Sequence, residues 1–177
     1  MNVICFGDSN TYGYDPRSYL GGRYDPDSRW VDILATKTGW IVRNLGENGR
    51  EIPTSAPDFP ADTDLLIVML GTNDLLQGRS PKQAAERLER FLAGISLDRS
   101  KILVIAPPPV KRGTWVLGQQ LIADSHTFAQ LCQTLAEQLG TRFADAGKWD
   151  IPLAYDGVHF TEQGHKAFAA GLLGELK

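Results

Sequence analysis

A serine hydroxyl becomes a useful nucleophile only when a neighbouring base takes its proton, and that base needs a third group to hold its tautomer. The sequence holds three histidines, and one of them has an acidic partner at close spacing. Asp156 and His159 flank Gly157 and Val158, a spacing that lets the carboxylate reach Nδ1 while Nε2 points elsewhere. Ser9, in Gly7-Asp8-Ser9-Asn10, is the hydroxyl such a pair could activate. Taken alone it reads as a turn or helix-cap residue. Acyl transfer also requires donors for the developing alkoxide. Gly49, whose backbone permits close approach, and Asn73, whose amide offers two donors without acting as a base, qualify. Each also has a plain reading as a turn or cap residue. His126, at the start of an expected helix, and His165, within another, read as surface or packing residues.

These residues sit where a particular architecture would gather them. Apolar runs rich in Val, Ile and Leu recur at residues 3–6, 40–45, 65–70 and 102–106, without polar alternation, as buried parallel strands require. A shorter candidate lies at 141–144. Helical periodicity follows in Trp30, Ile33 and Leu34; in Leu88, Phe91, Leu92 and Ile95; and in Phe128, Leu131, Cys132, Leu135 and Leu139. A last helix, capped by Thr161, buries Phe168, Leu172 and Leu176. The order reads β-α-β-α-β-α-β-α-β-α, which predicts an α/β domain of three α/β/α layers around a central parallel sheet of about five strands. Ligands of such sheets lie at the carboxyl ends of the strands, where Ser9, Gly49 and Asn73 fall. Two long loops, 12–28 and 107–118, are candidate cleft walls. The first holds five glycines or prolines and four tyrosines, and the second opens on three consecutive prolines.

Composition narrows the function. A chain of 177 residues falls within the roughly 100–200 residues of one domain, so a single domain over 1–177 is expected. Its 42% apolar and 22% charged residues are those of a globular chain, not a disordered one. A net charge of −3, with no run of like charges, argues against nucleic acid and anionic membrane surfaces as partners. No apolar run approaches a membrane span, and the run at 3–6 is too short for a signal-peptide core. Cys5 and Cys132 form no CxxC pattern and read as small buried hydrophobes. A cytoplasmic protein is expected, and a homo-oligomer stays open.

Taken together, the four loops resemble the four blocks of the GDSL/SGNH hydrolase family. Gly7-Asp8-Ser9 is similar to the first block, which implies Ser9 as nucleophile and oxyanion donor. Asn44-Leu45-Gly46-Glu47-Asn48-Gly49 resembles the second, implying the Gly49 N–H as donor in preference to Gly46. Gly71-Thr72-Asn73-Asp74 resembles the third and implies a side-chain donor in Asn73. Asp156-Gly157-Val158-His159 resembles the last and implies the catalytic acid and base. The blocks run in family order from residue 7 to 159. The phrase from Cys5 to Gly13, the Arg29-Trp30 pair, Ala106-Pro107-Pro108-Pro109 and His159-Phe160-Thr161 look like the arylesterase and acyltransferase branch. The resemblance implies a flavodoxin-like SGNH fold, a small-molecule acyl ester as substrate and no cofactor or metal. It also implies that Asp8 and Asp74 brace their loops. One departure is the charged stretch Glu47-Asn48-Gly49-Arg50-Glu51, where small or apolar residues are common.

There is no GxSxG elbow, GxGxxG or GxxxxGK, which argues against α/β-hydrolase lipases and nucleotide-binding folds. The rival from another class is a metal-dependent phosphoesterase using Asp8, Asp74, Asp156 and His159 as hard ligands. A non-catalytic binding module on a flavodoxin-like sheet is a third reading. Tyr12, Tyr14, Phe59, Trp115 and Val158 are candidates either to line the cleft or to fill the core. Aryl esters, acetylated sugars, thioesters and lysophospholipids all stay open as substrates.

Overall fold

A strand sends alternate side chains to opposite faces of its sheet, so a strand covered on both faces must be apolar throughout. In the computed structural model, which describes residues 1–177, β3 (Leu65–Met69) and β4 (Ile102–Ala106) are buried at every position. β1 (Asn2–Gly7) is buried after its first residue. With β2 (Ile41–Gly46) and β5 (Arg142–Asp145) they form one parallel sheet in the order β2-β1-β3-β4-β5. The chain leaves β1 to one side for β2 and returns to the other for β3. That reversal makes a crevice at the carboxyl ends of β1 and β3, where ligands of open α/β sheets bind.

Helices cover both faces. Ile4, Phe6, Leu66, Val68, Ile102 and Val104 pack beneath α4 (Pro81–Ala93) and α5 (Gln119–Leu139), against Leu88, Phe91, Phe128 and Cys132. Val3, Cys5, Leu65, Ile67, Leu103 and Ile105 face the other way, toward Trp30 and Leu34 of α2 (Trp30–Thr38) and Phe168 and Leu172 of α6 (Glu162–Glu175). Phe168 is central to that second core, with the rings of Trp30, Trp149 and Phe160 centred 4.7, 5.0 and 5.4 Å away. Truncating a ring so placed costs about 3–5 kcal/mol. Since Phe160 follows His159, this core also anchors the loop that carries the histidine.

The three layers, the five strands and the Thr161 cap agree with the sequence expectation; Thr161 Oγ1 accepts the Gly164 N–H at 2.9 Å. Strict alternation does not hold. Residues 47–64, between β2 and β3, contain no helix, so β2 is an edge strand whose Ile41 and Leu45 stay exposed. Apolar composition at 40–45 had suggested a strand buried on both faces, but no helix arrives to cover one of them. Two one-turn helices, α1 (Ser9–Tyr12) and α3 (Thr72–Leu76), are too short to show a period in the sequence. The helix expected around Phe128 begins at Gln119, immediately after the loop ending at Gly118, so His126 lies in its interior, on the exposed face.

Candidate active site

The nucleophile candidate stands where β1 stops. Asp8 caps α1, its Oδ1 accepting the Asn10 N–H at 2.9 Å, and Ser9 is the first helical residue. The first N–H groups of a helix have no intrahelical acceptor, and the Ser9 N–H donates to no other group of the chain. Asp8 is fully enclosed, and burial pushes its carboxyl up to about 6 despite the opposing Asn10 N–H, His159 and Arg50.

At the far end of the chain, Asp156 and His159 are held by a tight loop. Gly157 has φ +82°, and a side chain there would run into the Lys111 carbonyl, so only glycine lets the two loops approach. Lys111 N–H donates to the Gly157 carbonyl at 2.8 Å, Thr114 N–H to Tyr155 and Trp115 N–H to Asp156 at 3.1 Å each. Asp156 Oδ1 accepts the N–H groups of Val158 and His159, both at 2.9 Å. Its Oδ2 lies 2.7 Å from His159 Nδ1. Burial works to raise the Asp156 carboxyl, but the His159 ring, the two backbone N–H groups and the imidazole charge outweigh it and leave it below the usual carboxylate range. His159 Nε2 lies 2.9 Å from Ser9 Oγ across 150 residues of sequence. Both side chains are buried, Ser9 at 6% and His159 at 3% exposure.

The donor side is built from the ends of β2 and β3. Glu47 N–H donates to the Gly7 carbonyl at 3.1 Å, tying the second loop to the end of β1. Gly49 then turns through φ +72°, and its exposed N–H donates to no group of the chain. Asn73 Nδ2 donates to the Arg50 carbonyl at 3.1 Å. That contact fixes which end of the amide is nitrogen, puts Asn73 beside the Gly49 turn and leaves its second N–H available. The charged stretch around Gly49 is structural. Arg50 lies 4.3 Å over the Phe6 ring, donates to the Gly7 carbonyl at 3.0 Å and to the Leu45 carbonyl, and pairs with Glu47 at 2.5 Å. Asp74, completely buried, accepts the Ile52 N–H at 2.8 Å and pairs with Arg87 of α4 at 3.1 Å, while Arg87 also donates to the Ile52 carbonyl. Burial raises the Asp74 carboxyl even so.

Both long loops reach the site. Tyr14 and Trp115 stand edge-on to the His159 ring, with centroids 4.7 and 5.1 Å away, and Trp115 is 55% exposed. The other aromatic candidates lie elsewhere: Tyr12 stacks beneath Arg23, and Phe59 packs on Phe6. Val158 is buried with Val110 and Val116. His165 is fully buried between Tyr24 and Phe160. No three of Asp8, Asp74, Asp156 and His159 converge as a metal-ligand set; hydrogen bonds to backbone engage Asp8, Asp74 and Asp156 instead.

The sequence assigned no role to three residues that hold this site together. Asn10, Arg50 and Arg87 all act on backbone atoms of segments distant in sequence, and such contacts leave no motif or period.

A five-stranded parallel sheet in this order, with a serine, a histidine and an aspartate in line at its carboxyl edge, is the layout of an SGNH hydrolase. The chain belongs to the GDSL-like lipase/acylhydrolase family, which it matches over residues 5–167, and it is a carboxylic ester hydrolase. Among solved structures it is similar to a carbohydrate acetylesterase family member from Sinorhizobium meliloti, at 25% identity and a TM-score of 0.81, covering 99% of this chain and 96% of that one. It is likewise similar to the aryl esterase of M. smegmatis, at 26% identity and a TM-score of 0.78, covering 99% and 97%. No curated protein sequence matches it. No helix is long and apolar enough to cross a membrane.

Proposed function

We propose that residues 1–177 act as one serine esterase domain that cleaves short acyl esters through an acyl-enzyme. The observation that carries this reading is the unbroken line from Asp156 Oδ2 to His159 Nδ1 at 2.7 Å and from His159 Nε2 to Ser9 Oγ at 2.9 Å. With Nδ1–H held by the carboxylate, Nε2 is free to accept the Ser9 proton as Oγ attacks the ester carbonyl. Ser9 N–H, Gly49 N–H and the free Asn73 N–H stabilise the resulting oxyanion. His159 then returns the proton to the departing alcohol, leaving Ser9 acylated. Water repeats the sequence with His159 again as base and releases the acid. The two aromatic walls at Tyr14 and Trp115, and the acetyl and aryl esters named for the similar solved structures, favour acetyl or butyryl esters over long chains.

A fluorophosphonate probe reacts with an activated hydroxyl. It is expected to label Ser9 alone, and Ser9→Ala is expected to abolish both labelling and hydrolysis of p-nitrophenyl acetate without added metal. Labelling that survives in Ser9→Ala overturns the assignment. Complete loss of wild-type turnover on chelation, restored by a divalent ion, favours the phosphoesterase instead.

A further inference from the structure

We infer that Asn10 is a positioning residue that sets the distance between Ser9 and His159. This rests on the serine esterase reading above. Asn10 follows the nucleophile directly, yet its side chain is spent on the histidine loop. Its Nδ2 donates to the Val158 carbonyl at 3.2 Å, and its Oδ1 accepts the Phe160 N–H at 2.9 Å. The amide therefore clasps the backbone on both sides of His159, as a neighbouring strand would.

Its own backbone is equally fixed. The Asn10 N–H donates to Asp8 Oδ1 at 2.9 Å, and the Trp30 indole N–H donates to the Asn10 carbonyl at 2.9 Å. Both amide ends have a unique assignment, because Phe160 N–H needs an oxygen and the Val158 carbonyl needs an N–H. Asn10 is 5% exposed, so water does not readily replace either bond. The remaining backbone groups of His159 are tied within their own loop, its N–H to Asp156 at 2.9 Å and its carbonyl to Ala154 N–H at 2.7 Å. Apart from the catalytic contact itself, the Asn10 amide is thus the hydrogen-bonded link between the serine segment and the segment 158–160. Aspartate and glutamine do not reproduce it, since one lacks the donor and the other is a methylene too long.

Asn10→Leu keeps the number and branching of side-chain heavy atoms and removes both bonds. It is expected to lower kcat about 10- to 100-fold, the range expected when reacting groups shift by about 1 Å, with KM changed less than about twofold. Asn10→Asp keeps the acceptor for Phe160 N–H and serves as the second variant should Asn10→Leu not fold; it is expected to lower kcat with KM unchanged. The discriminating measurement adds Asn10→Leu, or Asn10→Asp, to His159→Ala. A residue acting through His159 costs no further activity there, whereas a general structural role costs the same factor in both backgrounds. Wild-type kcat in the folded single variants, or full additivity in the double variant, overturns the role of Asn10. Wild-type activity in His159→Ala sinks the esterase reading itself, an outcome distinct from either.

Discussion

Asp156 divides its carboxylate between two tasks: Oδ2 lies 2.7 Å from His159 Nδ1, while Oδ1 accepts the backbone N–H groups of Val158 and His159, each at 2.9 Å. The group that fixes the imidazole tautomer is therefore also the group that shapes its loop. Asp156→Asn retains an acceptor for the backbone but presents an amide N–H to Nδ1, favouring the wrong tautomer. In the serine-protease precedent that change costs about 10⁴ in kcat. The same order of loss is expected here, with the fold intact by circular dichroism, and a loss under tenfold would show that the carboxylate does not orient His159.

Asn73→Ala removes the donor beside the Gly49 turn and also the bond to the Arg50 carbonyl at 3.1 Å. Because an oxyanion contact is made mainly in the transition state, kcat is expected to fall about 10²- to 10³-fold with little change in KM. Steady-state kinetics on p-nitrophenyl acetate decide it. An effect confined to KM assigns Asn73 to ground-state binding.

Asp8 supplies a test through stability. Its carboxyl rises from 3.8 to about 6 on burial, so the folded state holds the proton more tightly than the unfolded state. The corresponding stability is complete below pH 3.8 and is lost as pH rises through about 6. Above that, the buried carboxylate costs on the order of 2–3 kcal/mol. Asp8→Asn keeps an acceptor for the Asn10 N–H without the charge. Thermal melts should find it more stable than wild type at pH 8, with the advantage shrinking toward pH 4. A variant less stable than wild type at pH 8 contradicts this account.

His165 works in the opposite direction. Both ring nitrogens are buried without a hydrogen-bond partner, and burial, with Arg29 and His159 adding to it, lowers the ring to about 3 from 6.5. The unfolded chain binds the proton more readily, so stability is full above 6.5 and drains away as pH falls toward 3. At pH 4 this amounts to on the order of 3 kcal/mol. His165→Leu, of similar volume, is expected to lose less Tm than wild type between pH 7 and pH 4, while retaining esterase activity at pH 7.5. An unchanged pH dependence of Tm argues that His165 is not buried neutral.

Much of this protein is legible in one dimension because its core strands are covered on both faces. Continuous apolar runs such as 3–6 and 65–70 have few other uses, and the glycine-led polar tetrads at their ends, Gly7-Asp8-Ser9-Asn10 and Gly71-Thr72-Asn73-Asp74, stand out against them. Ser9, Gly49 and Asn73 could be nominated for that reason, Asp156 and His159 for their close spacing, and the same blocks carry the family resemblance. What the sequence could not decide lies in contacts between segments far apart in it. Periodicity does not reveal that no helix covers β2, because a missing layer is a property of the packed chain. Nor does it reveal that Asn10 clasps the backbone around His159, that Arg50 folds its charge over Phe6, or that Arg87 ties α4 to the Gly49 loop. Each of these side chains satisfies a buried carbonyl or N–H whose position exists only once the sheet has formed, and a hydrogen bond of that kind imposes no spacing on the sequence.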